Sequence, residues 1–98
     1  MAGFASLLWL QSPAMKTCFY YVYLLRSTKF PEQTYIGFSE DFQQRFKDHN
    51  AGKSIHTAKY RPWELISCHA FIDLKKAKAF EAYLKTGSGR AFAKRHLW

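Results

Sequence analysis

Two runs dense in aromatic and branched side chains frame the first half of the chain. Residues 18–26, CFYYVYLLR, carry nothing charged before Arg26 and read as a buried strand, because such side chains suit a packed, pleated surface. STKFPEQ follows, broken by Pro31, and TYIGF at 34–38 reads as a second strand. A connection this short suits an antiparallel hairpin. Beyond it the period lengthens. Phe42 and Phe46 stand one helical turn apart in a polar segment, which predicts a helix over about 40–51 with both rings turned inward. Ser39 is its expected N-cap, Glu40 and Asp41 suit its first turn, and Asn50-Ala51-Gly52 its stop.

KSIHTAKYRPW reads as a basic loop in which Pro62 turns Arg61 away from helix. ELISCHAFI at 64–72 returns to strand character. Asp73 caps a helix, LKKAKAFEAYLK, expected to close at Gly87, and a last short helix covers roughly 90–97. The order β-β-α-β-α-α predicts an α+β fold, a small three-stranded, mostly antiparallel sheet flanked by helices.

The first fourteen residues, MAGFASLLWLQSPA, contain no charged side chain. They read as an N-terminal extension, with one domain over 15–98 starting at Met15. Without basic residues ahead of the apolar stretch, a signal peptide is a poor match. No apolar run approaches the ~20 residues that span a bilayer, and a cytoplasmic protein is expected. Cys18 and Cys68 lie fifty residues apart, in no zinc-ligand spacing; each sits in a strand-like run and is expected to be a buried, reduced thiol.

Charge changes the picture. Fifteen Lys+Arg against seven Asp+Glu give a formal +8 at pH 7 on 98 residues, the electrostatic footprint of a polyanion binder. Lys53, His56, Lys59 and Arg61 interleave with Tyr60 and Trp63, so cations that fix phosphates alternate with rings that stack on bases or anchor the loop. In TGSGR, residues 86–90, backbone amides and Arg90 could meet a phosphate; an ordinary helix–helix turn is the competing reading.

Three further positions carry chemistry. Leu74, Ala77, Phe80 and Leu84 define the apolar arc of the helix after Asp73 at about 100° per residue, and Glu81 falls inside it. A carboxylate there is either paired, with Lys85 or Lys78, or binds a cation. Arg45 and His49 lie one turn apart on the earlier helix, as a solvated surface or as a phosphate site. Tyr23 and Tyr35 read equally well as core residues with bonded hydroxyls.

Together these residues resemble the GIY-YIG nuclease family. Tyr21-Val22-Tyr23 stands for the first half of its motif and Tyr35-Ile36-Gly37 for the second; Arg45, His49 and Glu81 follow in the family's order. HNAGK, HTAKYRPWEL and EAYLKTGSGRAF look closer still to its short, stand-alone bacterial members, and the resemblance covers about residues 18–97. Two departures stand out: Tyr21 replaces the first glycine, and Phe38 follows Gly37 where some repair-type relatives have lysine.

The resemblance implies a metal-dependent DNA endonuclease of repair or recombination, selective for structure rather than sequence, with a protein partner or homodimer choosing the target. Glu81 would hold Mg²⁺, for which Mn²⁺ can substitute, and Tyr35 would be the general base. A phenol ordinarily ionises near ~10, so a base of this kind needs positive charge beside it, from Arg45 and the metal. Arg45 would also stabilise the transition state. Tyr23 and His49 would orient the water or Tyr35, with His49 relaying its proton, and His56 would approach the scissile phosphate. Lys53, Lys59, Arg61 and Arg90 would bind the nucleic acid. The alternative is a non-catalytic nucleic-acid-binding module that keeps the fold.

Overall fold

A computed structural model describes residues 18–98; the extension expected over 1–14 lies outside the described residues. The chain forms strands β1 (Tyr20–Ser27), β2 (Thr34–Ser39) and β3 (Trp63–Phe71) and helices α1 (Phe42–Ala51), α2 (Ile55–Ala58), α3 (Leu74–Leu84) and α4 (Gly87–His96). The sheet is antiparallel in the order β2-β1-β3. This is the expected α+β fold with one added element.

β1 is the central strand, and Val22, Tyr23, Leu24 and Leu25 are all fully buried. Its continuous apolar run follows from being covered on both faces. Alternation divides the core in two. Val22 and Leu24 pack with Ala77 and Leu84 of α3 and Ala93 of α4. Tyr23 and Leu25 pack on the opposite face with Trp63, Tyr35, Phe42 and Phe46. A one-residue slip of β1 would exchange these sets, so the register is strongly fixed.

Several boundaries differ from the sequence reading. Asp41, rather than Ser39, caps α1: its carboxylate accepts from the Gln44 amide, while the Ser39 hydroxyl accepts from the Asp41 amide. That earlier side-chain turn holds Glu40 outside the helix and delays its start. Gly52 ends α1 as expected, with φ 78° in the left-handed region. The basic loop contains one helical turn, α2, too short to leave a periodic signature.

Asp73 caps α3, but that helix ends at Lys85 and Gly87 is already inside α4. Thr86 takes over, accepting from the Gly89 amide at 3.2 Å. A side chain at Gly89 would collide with the Tyr83 carbonyl, so this glycine serves close helix–helix packing. TGSGR is therefore a helix–helix turn. Leu74 is 42 % exposed, so the apolar arc of α3 is narrower than its periodicity suggested. Both cysteines are free and exposed: Cys68 lies on the edge strand β3, where no neighbouring strand covers it.

Candidate active site

The site begins at a cross-strand pair. Tyr23 on β1 faces Gly37 on β2, and any Cβ at position 37 would collide with the Tyr23 ring and hydroxyl. Glycine here lets the phenol lie across β2 toward the free edge of the sheet. The Tyr23 hydroxyl meets His49 Nε2 at 2.9 Å, and His49 Nδ1 meets Thr57 Oγ1 at 2.6 Å. Trp63 then donates its indole N–H to the Thr57 carbonyl at 2.8 Å. Asn50 brackets the backbone of Trp63, its amide donating to the carbonyl and accepting from the N–H. Tyr23, His49 and Thr57 are fully buried, so both imidazole nitrogens are satisfied by protein and the row is held rigid.

Electrostatics fix the protonation states along this row. Burial, then negative charge at the neighbouring Tyr35 and Glu81, push the Tyr23 phenol up to about 12 against the opposing pull of Arg45. Tyr23 is therefore a hydroxyl at neutral pH. Burial and then the Arg45 guanidinium lower the His49 pKa, with Asp48 opposing, and the imidazole is neutral.

Tyr35 on β2 flanks the row, its ring centroid 4.9 Å from that of His49 and 6.3 Å from that of Tyr23. Arg45 is half-buried on α1, close enough for its charge to act on both Tyr23 and His49. Glu81 comes from α3, which covers the other face of the sheet, and its charge also acts on Tyr23. It pairs with Lys85 at 3.4 Å, with the two side chains 21 % and 55 % exposed respectively. Tyr23, Tyr35 and His49 thus form one contacting cluster, on which the charges of Arg45 and Glu81 act through Tyr23. His49 faces Tyr23 rather than open solvent.

The remaining candidates are spread out. His56 is exposed on α2, outside the hydrogen bonds of the cluster. Lys53 pairs with Asp48 at 3.8 Å. Lys59 lies 5.3 Å over the Tyr60 ring. The Arg61 guanidinium occupies the space that a side chain at Gly52 would need. Arg90 shares a groove with Tyr35. Thr57 in the basic loop and Asn50 at the helix stop were given no part in the site, although a buried imidazole does demand a partner for its second nitrogen.

Among the described residues, no three His, Cys, Asp or Glu side chains gather into a metal-ligating group. A single half-buried carboxylate beside phenols suits Mg²⁺, which keeps several waters and takes one or two carboxylates plus phosphate oxygens.

The depressed pKa of His49 has a testable sign. Its ordinary value is about 6.5, so below that pH the unfolded chain binds a proton that the folded chain resists. The contribution is full above that value and is lost as pH falls through the lower folded-state pKa. His69, also lowered by burial, acts in the same direction. The melting temperature of the wild type is therefore expected to fall more steeply below pH 6.5 than that of His49→Asn, which retains His69. Parallel curves would contradict this.

The GIY-YIG catalytic domain matches residues 19–95. The structure-specific endonuclease subunit slx1 of Talaromyces marneffei is 40% identical over 63 residues, covering 59% of this chain and 16% of that protein. The corresponding subunit of Debaryomyces hansenii is 44% identical over 54 residues, covering 49% of this chain and 16% of that protein. Both relatives are eukaryotic and do not support the likeness to stand-alone bacterial members. The matched segment is a small part of each.

Proposed function

We propose that this chain, which belongs to the GIY-YIG catalytic domain family, is a metal-dependent DNA endonuclease that acts on branched DNA in repair. The observation that carries the proposal is the Tyr23–Tyr35–His49 cluster, backed by the buried His49–Thr57 pair and acted on by the charges of Arg45 and Glu81. Binding alone needs no such arrangement. The strong positive charge supplies the attraction to phosphates, and the relatives' printed name supports a structure-specific substrate.

Tyr35 is the general base: it flanks the row and opens onto the groove at the edge of β2. Tyr23, kept protonated, donates to His49 Nε2, and His49 donates from Nδ1 to Thr57. The Tyr23 oxygen is then an acceptor that can orient the attacking water or the Tyr35 hydroxyl. His49, neutral and bonded at both ring nitrogens, holds the Tyr23 hydroxyl in a fixed orientation. Arg45 supplies positive charge where negative charge develops on the phosphate. Glu81 is the residue that would hold Mg²⁺, or Mn²⁺ in its place, a hard cation suited to a single carboxylate; such an ion would supply Lewis acidity to the phosphate.

The relatives are named as subunits, which supports a protein partner in target selection. The site itself should still discriminate shape, because phosphate contacts position a duplex without reading its bases. Cleavage of a flap or branched DNA is expected to exceed that of a linear duplex of the same sequence by at least ~10-fold, about 1.4 kcal/mol of discrimination. Equal rates on both would remove the structural selectivity.

A further inference from the structure

A groove runs along the outer edge of β2 and shares Tyr35 with the proposed site. Thr34, Tyr35 and Ile36 form one wall; Leu84, Lys85, Arg90 and Trp98 form the other. Its volume is about 460 Å³. β2 is an edge strand, so no neighbouring strand fills this space. Tyr35 belongs to both the groove and the catalytic cluster. Lys85 lines the groove with its ammonium 3.4 Å from Glu81. The groove and the proposed cleavage point therefore meet through two residues.

Its chemistry is mixed in a particular way. Lys85 and Arg90 are cations, and a third, Arg26, stacks 5.4 Å over the Trp98 ring. Arg26 pairs in register with Thr34 on β2, which ties that stack to the opposite wall. Ile36, Leu84 and Trp98 supply apolar surface between the charges. An apolar wall lined with cations suits a phosphate joined to a sugar and base, whereas a solvated ion needs no apolar wall. The size matches small-ligand sites, about 300–1,000 Å³, which suits one nucleotide unit.

We infer that this groove seats one unpaired nucleotide of the cleaved strand next to the scissile phosphate, with its own phosphate on Arg90 and Lys85 and its sugar and base against Trp98 and Ile36. The inference rests on the nuclease reading and deepens it. A nucleotide can enter only where the duplex is open, so the groove makes strand separation beside the cut a condition of good binding. Selectivity for branched DNA then arises within this domain, without base readout.

Arg90 is the informative residue, because it is exposed and outside the core, whereas Trp98 packs against the core. Fluorescence anisotropy in EDTA would compare two DNAs, a duplex with an unpaired arm and a fully paired duplex of the same length. Arg90→Ala is expected to weaken binding to the armed duplex by ~10-fold, the loss of one charged hydrogen bond, and to the paired duplex by less than ~2-fold. Lys75→Ala, at an exposed α3 position that does not line the groove, should affect both DNAs equally through charge alone. Equal weakening of both DNAs by Arg90→Ala, or no weakening of either, would overturn the groove assignment. A protein that cleaves no DNA with any divalent metal would defeat the nuclease reading, while the anisotropy ratio still decides the groove.

Discussion

Glu81→Gln is expected to lower DNA cleavage by ~10³-fold or more while leaving DNA affinity in EDTA unchanged or slightly tighter. The substitution keeps the shape of the side chain and removes a carboxylate whose charge acts on Tyr23. If that carboxylate places a divalent cation, several kcal/mol of transition-state stabilisation go with it, and each 1.36 kcal/mol is about tenfold in rate. The competing explanation is structural, since Glu81 also pairs with Lys85 at 3.4 Å along the helix. Pairs of this kind contribute only about 0–1 kcal/mol, so folding should be almost unaffected. Cleavage assays and thermal melting on the same preparations separate the two explanations. Full cleavage by Glu81→Gln would reduce the residue to a surface ion pair.

Tyr35→Phe carries the second large effect. Loss of a general base costs about 10²–10⁴-fold, and here it should fall on kcat with KM little changed, because the ring and its packing remain. The packing is substantial: the Tyr35 ring lies against His49, Tyr23 and Trp63 at centroid distances of 4.9, 6.3 and 6.5 Å. Phenylalanine preserves all three contacts. The choice of Tyr35 over Tyr23 rests on position and protonation: Tyr35 borders the groove, and Tyr23 is fully buried with its phenol pushed up to about 12. Single-turnover cleavage by Tyr35→Phe at saturating DNA tests this assignment. A rate within ~2-fold of wild type, far short of the loss of a general base, would transfer the base role elsewhere.

The sheet was largely legible because its strands announce themselves. CFYYVYLLR can hardly be anything but a strand buried on both faces, and the Asp73 cap has an unambiguous side chain in the right place. Features fixed by competition between neighbours were not legible. Ser39 and Asp41 are both good caps, and only the Ser39 turn decides that Asp41 wins. Gly87 looked like a helix stop, yet Thr86 starts α4 directly and Gly89 serves the packing against Tyr83. Cys68 has an apolar context in sequence but lies at an exposed sheet edge, since topology decides which strands become edges.

The site divides in the same way. The order and spacing of Tyr23, Tyr35, Arg45, His49 and Glu81 carried the family resemblance. Residues four apart on a helix, however, are offset by about 40°. That offset lets His49 be fully buried while Arg45 stays half-buried, so one turn of spacing did not mean one shared target. Thr57 had no signal of its own, because its partnership with His49 forms only when the one-turn helix α2 folds over α1.

The most direct test is a nicking assay on supercoiled plasmid and branched DNA with Mg²⁺, with Mn²⁺ or with EDTA, with wild type and Glu81→Gln purified identically and run in parallel. Metal-dependent cleavage by the wild type that disappears in EDTA and in the variant is the predicted result. DNA binding with no cleavage under any metal would contradict the account and leave a binding module that keeps the nuclease fold.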